Sequence, residues 1–465
     1  MVMLIAPSVA GVFLQLWRFH PSAFSCGLYF AVSRKQMDVF LCFRQKSGRR
    51  KTSQRLARKL GWQEREAMEK LQGKCVVLGV IAAYKMAYVA SALRKTGANV
   101  HVIMTENATQ FITPLTFETL TNNRCIVDTF ARDFQYDVTH VSLAKAANLI
   151  LIAPATANVI AKLAHGIADD MLTTTVLAAG CEKLVAPAMN TGMLENPITQ
   201  DNLKTLRRYG FQVIEPECGM LACRDVGSGK LPEPETLLNH IARSLARKKT
   251  LSGVRVTVTA GPTQESLDPV RYLTNHSSGR MGYAIAREAM LRGAQVTLIS
   301  GRTALPPVPF VALRPVTTAA DMLREVQTAL PDTDILIKAA AVADYRPTTV
   351  ADDKIKKRDG DMEIPLERTE DILSWVAQNR RRGQFVCGFS METRDLLENS
   401  RKKLESKRLD MIVANNLKVE GAGFGVSTNV ATLITKDDVM ELPLMGKDEV
   451  AEKLLDAIEQ RRSAQ

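Results

Sequence analysis

The chain lacks the paired cysteines of a zinc module or a disulfide framework. Its eight cysteines are scattered; Cys218 and Cys223 are the closest two, with no second pair to complete a metal site, a usage that fits a reducing compartment. It lacks any charge from Met1 to Trp17, so the basic start of a secretory signal is missing. That same run, broken by Pro7 and Gly11, falls short of the about 20 apolar residues of a membrane span. Charge of one sign is scarce in the body of the chain. Of the net +12, most lies in residues 1–72, which hold 13 basic and 4 acidic side chains. A nucleic-acid binder carries its excess on its folded domains, so neither nucleic acid nor a membrane is an expected partner. A complete P-loop is also absent. Val226–Pro232 reads VGSGKLP, but the pattern asks for glycine where Arg224 stands and Ser or Thr where Leu231 stands.

What is present is 465 residues, 46% hydrophobic and 24% charged, enough for about two to four domains with sizeable cores. Residues 1–72 read as an N-terminal extension outside the fold, with Met68 as the natural start. From Lys74, short β-rich runs alternate with helical patterns: Cys75–Leu78, Val100–Met104, Leu149–Ile152 and Lys183–Ala186. The rhythm restarts at Val254–Thr259 and continues through Gln295–Ile299, Ile335–Ala339, Phe385–Phe389 and Met411–Ala414. The fold class expected is α/β, two doubly wound Rossmann-like units in tandem, at 73–249 and 250–465.

In such sheets ligands bind beyond the carboxyl ends of the strands. In the first unit Gly79 interrupts VVLGVIAAYK before a helix, and Thr105 follows a strand. Thr156, Ala157 and Asn158 in APATAN open a helix after another strand, and Asn190 follows a fourth. His140 and Cys223 add a titratable ring and a thiol. Each has an ordinary structural reading as well, as cap, turn former or small buried residue. In the second unit a long loop keeps Gly261, Ser277, Ser278 and Gly279 ahead of a helix near Met281, a layout suited to an anion. Asp344 lies beyond a strand end, with Lys354, Lys356 and Lys357 behind it; Lys403 and Lys407 share one helix face. Lysines from separate loops suit a triphosphate.

The stretches MTENATQFITPLTF, THVSLAKAANL, APATANVIAKLAHGIADDML, PAMNTGM and LAC resemble the flavin-dependent decarboxylases of phosphopantothenoylcysteine. That resemblance implies a flavodoxin-like fold with FMN held around Gly79, Thr105 and Thr156–Asn158. It implies oxidation of the cysteinyl thiol to aid loss of CO2, followed by reduction of the enethiol. His140 would assist the early steps, Asn190 would hold the substrate carboxylate, and Cys223 would donate a proton to the enethiol. Arg224 stands where the family has glycine. The family's opening loop is also three residues longer, with two more glycines, so weakened FMN binding is expected here.

AGPTQESLDPVRYLTNHSSGRMG, AAVADYRP and KIKK resemble the bacterial, CTP-using phosphopantothenate–cysteine ligases. The implied reaction activates 4'-phosphopantothenate as an acyl-cytidylate, with Mg2+ on the phosphates, before the amine of L-cysteine displaces CMP. Asn275 would contact the acyl-cytidylate. Asp344, Phe389, Lys354, Lys403 and Lys407 would bind the nucleotide. Arg368–Ile372 keeps only the Asp-Ile end of a family stretch. The fused order is that of the bacterial coenzyme A biosynthesis fusion proteins, which implies a cytoplasmic homo-oligomer, a dodecamer in that family. Two other readings remain open: a ligase whose first half is impaired, and a flavin-fold binding or regulatory subunit.

Overall fold

The computed structural model describes residues 68, 70–80, 85–129, 139–221, 226–357, 362–392, 395–416, 423 and 425–463. Val- and Ile-rich runs in the first half become β1 (Cys75–Val80), β2 (Asn99–Met104), β3 (Cys125–Ile126), β4 (Leu149–Ala155), β5 (Glu182–Pro187) and β6 (Gln212–Val213). They form one parallel sheet in the order β3-β2-β1-β4-β5-β6. β1 and β4 are apolar and buried along their whole lengths, as strands covered by helices on both faces must be. The chain reverses direction across the sheet between β1 and β4, so the ligand crevice lies at their carboxyl ends. A hairpin follows, β7 (Glu217–Met220) and β8 (Val226–Lys230).

The second half opens with β9 (Arg255–Ala260) and the small hairpin β10 (Gln264–Ser266) and β11 (Tyr272–Thr274). Then come β12 (Gln295–Ser300), β13 (Ala312–Pro315) and β14 (Ile335–Lys338), and a second hairpin of β15 (Tyr345–Pro347) and β16 (Leu366–Arg368). β17 (Phe385–Glu392), β18 (Met411–Asn416), β19 (Thr428–Ile434) and β20 (Val439–Gly446) complete it. The sheet order is β13-β12-β9-β14-β17-β18-β19-β20, with β19 and β20 antiparallel. Here the reversal falls between β9 and β14.

Two expectations change. The extension assigned to residues 1–72 ends too late: Leu71 is fully buried and Met68 nearly so, both in the core. Residues 1–67 lie outside the described residues. Gly79 does not end a strand. It pairs inside β1 with Ile103 and Ile152, and Leu172 fills the space a Cβ would occupy.

The two halves share a core. One apolar cluster includes Leu71, Leu93 and Ile241 from the first half, Leu251 from the connection, and Val258, Ile285 and Ile458 from the second. Phe310, held at φ 61°, packs edge-on against His240 with ring centroids 4.7 Å apart, and the Arg243 guanidinium lies 4.6 Å from its centroid. Among the described residues no helix is long and apolar enough to cross a membrane.

Candidate active sites

Around the first crevice, the carboxyl ends of β2, β4 and β5 each run into a capped helix. Thr105 donates its backbone N–H to the Val80 carbonyl at 3.3 Å, and its hydroxyl accepts from Ala108 N at 3.3 Å. Thr156 caps the helix Ala157–His165 by accepting from Val159 N at 3.4 Å, leaving Asn158 exposed in the first turn. Asn190 is exposed and accepts from Gly192 N at 2.9 Å. His140 lies in the first turn of the helix Thr139–Ala146, which enters β4 from its amino end, so that turn sits on the carboxyl side of the sheet. These residues share one edge of the sheet. Residues 81–84, which follow β1 in the chain, and Cys223 lie outside the described residues.

The stretch rejected as a P-loop has a different task. β8 runs directly along the PAMN segment. Met189 N donates to the Gly229 carbonyl at 3.0 Å, and the Thr191 hydroxyl donates to the Ser228 carbonyl at 2.8 Å. A side chain at Gly229, whose φ is 128°, would collide with the Met189 carbonyl, and one at Gly227 with Thr191. The glycines of VGSGK therefore let the β7–β8 hairpin, which carries Cys223 between its strands, close on the loop that presents Asn190. Lys85 ties the helix after β1 to the far end of β8, donating to the Leu231 carbonyl at 3.2 Å and to Glu233 at 3.0 Å. Lys85 and then Lys230 hold the Glu233 carboxyl below its usual range.

In the second half, the loop after β9 is stitched to the loop after β14. Asn275 Nδ2 donates to the Ala341 carbonyl at 3.1 Å, Ala341 N donates to the Gly261 carbonyl at 3.0 Å, and Ala343 N donates to the Thr263 hydroxyl at 2.9 Å. The helix Arg280–Leu291 starts at Gly279 with no side-chain cap, which leaves its first N–H groups open to an anion. Gly282 lets that helix press on β9, where an added Cβ would come within 2.6 Å of the Ala260 Cβ.

Lys354 is exposed, and its segment is fixed through its neighbour Ile355. Asp268, with no exposed side-chain surface, accepts from Ile355 N at 3.1 Å, and Arg271 donates to the Ile355 carbonyl at 2.7 Å. The Arg271 guanidinium, aided by the N–H groups of Val270, Ile355 and Arg271, keeps the Asp268 carboxyl far below its ordinary value. Sequence reading missed this anchor, although the DPVR of the quoted stretch contains both partners.

Lys407 donates to Asp371 at 2.7 Å and to the Ser374 hydroxyl at 2.6 Å. Asp371 thus survives in the altered Arg368–Ile372 stretch as the cap of the helix Ile372–Asn379. Thr369 fastens that stretch to the Asp344 loop, donating to the Asp344 carbonyl at 3.0 Å and the Ala343 carbonyl at 2.6 Å. Asp344 and Lys403 are exposed, and Phe389 is half-buried within β17.

Residues 63–246 match the flavoprotein family, and residues 251–461 match the C-terminal domain of the DNA/pantothenate metabolism flavoproteins. The coenzyme A biosynthesis bifunctional protein CoaBC of Bacillus subtilis is 47% identical over 386 residues, spanning 82% of this chain and 95% of that protein. This chain belongs to the family of coenzyme A biosynthesis bifunctional proteins. The CoaBC of Vibrio cholerae is 43% identical, spanning 85% of this chain and all of its own. The crystal structure of the C-terminal domain of a CoaBC covers 47% of this chain at 42% identity and a TM-score of 0.41. The chain is accordingly an enzyme of coenzyme A biosynthesis, a flavoprotein with a decarboxylase half and a ligase half. Its relatives match across both halves, which does not favour a ligase-only or regulatory protein.

Proposed function

We propose that the second half, from about residue 250, joins L-cysteine to 4'-phosphopantothenate using CTP, and that the first half then decarboxylates the product with FMN. The observation that carries the ligase reading is the Asn275–Ala341 hydrogen bond. It holds the Asn275 loop, with its open helix N-terminus, beside the loop that bears Asp344. An acyl-cytidylate fits there: phosphate oxygens on the helix N–H groups, charge balanced by Lys354, Lys403 and Lys407, and Asn275 on the acyl phosphate. Among the described residues no cluster of three His, Cys, Asp or Glu stands ready for a metal ion. Mg2+ would therefore ride on the phosphate oxygens of the nucleotide, as it commonly does.

In the first half, the hydroxyls of the cap residues Thr105 and Thr156 accept from Ala108 N and Val159 N, and each keeps a proton to donate, which suits the phosphate or ribityl oxygens of FMN alongside Asn158. Bound FMN would supply the two-electron oxidation of the substrate thiol and the return of those electrons after CO2 leaves. Asn190 would hold the substrate carboxylate, His140 would assist the early proton movements, and Cys223 would protonate the enethiol. By its resemblance to the coenzyme A biosynthesis fusion proteins, we infer a cytoplasmic homo-oligomer, a dodecamer.

The ligase test is pyrophosphate release with CTP, cysteine and phosphopantothenate. Asn275→Ala stalls it at or before consumption of the acyl-cytidylate; equal rates without CTP, or an unaffected variant, would overturn the reading. The decarboxylase test is Cys223→Ser, which still releases CO2 while an oxidised enethiol accumulates. Loss of CO2 release with flavin still bound would assign Cys223 an earlier role.

A further inference from the structure

The sequence directs attention to lysines on loops and helices, but one lysine sits in the sheet itself. Lys338 is the last residue of β14. It lies opposite Thr259 of β9 on one side and Gly388 of β17 on the other. The gap between β9 and β14 is where this sheet reverses, so Lys338 stands on the floor of the crevice in which a doubly wound sheet takes its ligand. Neither neighbour in register carries a charge. The charged groups within its reach come from the elements that surround the crevice. Asp371 caps the helix Ile372–Asn379, Asp344 follows β14, Lys403 lies on the helix Leu396–Ser406, and Lys407 ends it.

Asp371 is already committed to Lys407 and to its own helix cap. It offers Lys338 a general attraction rather than a dedicated partner. Asp344 is exposed to solvent. Burial pushes the Lys338 ammonium below its ordinary pKa; Asp371 and Asp344 oppose this, while Lys403 and Lys407 add to it. Lys338 is half-buried, the one residue of its strand not fully withdrawn from water; a cation partly desolvated without a dedicated counter-ion is costly, and a lysine serving only as a spacer in an apolar strand end would be better replaced by Met or Leu. What balances it is an anion that enters the crevice.

We propose that Lys338 is a nucleotide-positioning residue of the ligase, reaching from the crevice floor to the phosphate chain of the bound triphosphate. This rests on the ligase reading above and adds to it a contact from below, where Lys354, Lys403 and Lys407 supply contacts from the rim. The free site holds this lysine with a weakened grip on its proton. A polyphosphate within hydrogen-bond reach strengthens that grip.

The test uses the full chain, Lys338→Met and Lys338→Arg, with CTP and Mg2+ as the probe. Calorimetric binding gives the affinity. Lys338→Met is expected to weaken CTP about 10- to 100-fold, the worth of one charge-assisted hydrogen bond. In turnover the loss appears in the KM for CTP, with the KM for cysteine unchanged. Lys338→Arg recovers most of the affinity. Thermal unfolding is the control for folding, and Lys338→Met is expected to melt no lower than the parent, since it removes a half-buried charge. CTP affinity within twofold of the parent in Lys338→Met overturns the proposal. If the parent prefers another nucleoside triphosphate, CTP choice is wrong but Lys338 is judged by the same comparison with that nucleotide: a loss supports it and no loss overturns it.

Discussion

Lys70 and Glu288 lie 218 positions apart in the chain and meet at 3.1 Å. Glu288 belongs to the helix Arg280–Leu291 of the ligase half, and its side chain is only 4% exposed. It also accepts from Arg247 at 2.7 Å and Arg292 at 3.0 Å, so one carboxylate gathers cations from the first half, the connection and its own helix. Glu288→Ala would leave Lys70 and Arg247 with Glu452 alone, and Arg292, only 7% exposed, with Asp456 and Glu459. Removing one partner of a buried pair costs about 3–5 kcal/mol when the other is left unpaired; with these carboxylates still in place the loss is about 1–3 kcal/mol. Urea titration of the variant should show that loss; a change below about 1 kcal/mol would mean water satisfies the cations instead.

His240, stacked edge-on against Phe310, has its pKa lowered to about 4, first by burial and then by Arg243. Its proton affinity is lower in the folded chain than in the unfolded one, whose imidazole titrates near the ordinary 6.5. As pH falls below that value, the unfolded chain gains the proton first. The contribution is therefore whole above about 6.5 and is lost between there and about 4. Allowing for solvent screening at this half-buried ring, the effect is on the order of 1–2 kcal/mol. Denaturant midpoints at several pH values should show a slope that flattens in His240→Phe; an unchanged slope in that variant would assign the acid sensitivity elsewhere.

Gly229 lets β8 lie against the Met189 carbonyl. Gly229→Ala would lift the β7–β8 hairpin from the Asn190 loop. Misplacement of a positioning element by about 1 Å can cost roughly 100-fold in rate. Decarboxylation should fall on that scale while CTP-dependent ligation stays at the parent rate. Equal loss of both activities would mean the damage spreads through the fold.

The loop after Val80 is expected to be three residues shorter than in the decarboxylases it resembles. Two missing charge-assisted hydrogen bonds would weaken FMN by about 10²- to 10⁴-fold. Decarboxylation should then depend on added FMN, and insertion of Thr-Gly-Gly between Val80 and Ile81 should let the protein purify yellow. A stoichiometric flavin spectrum from the unaltered chain would show that Thr105, Thr156 and the helix end suffice.

The parallel strands were legible because burial favours apolar and β-branched residues, and the expected bounds of β1, β4, β9 and β12 lie within three residues of those found at each end. The antiparallel edge was not. β20 reads VMELPLMG, with a proline and exposed Met440 and Leu444, a composition that only its pairing with β19 turns into a strand. Asn190, Asn275 and Lys407 stood out by motif. Asp268 and Lys338 did not, because their importance comes from neighbours about 70 or more residues away in sequence, or from a strand's place in the sheet. Gly227 and Gly229 were visible, and the P-loop reading of their stretch was excluded by Arg224 and Leu231; what they admit is Thr191 and the backbone of Met189, far from them in sequence.

The apolar cluster that passes from Leu71 through Leu251 to Ile458 has a consequence for heat inactivation. Two catalysts joined only by a tether would fail separately, each at its own temperature. Here neither sheet can lose its packing without exposing part of the other, so warming should extinguish both activities along a single curve. By the same coupling, a ligand gripping one crevice protects the chemistry of the other. CTP added to a heated sample should prolong the life of the decarboxylase, an enzyme with no use for that nucleotide.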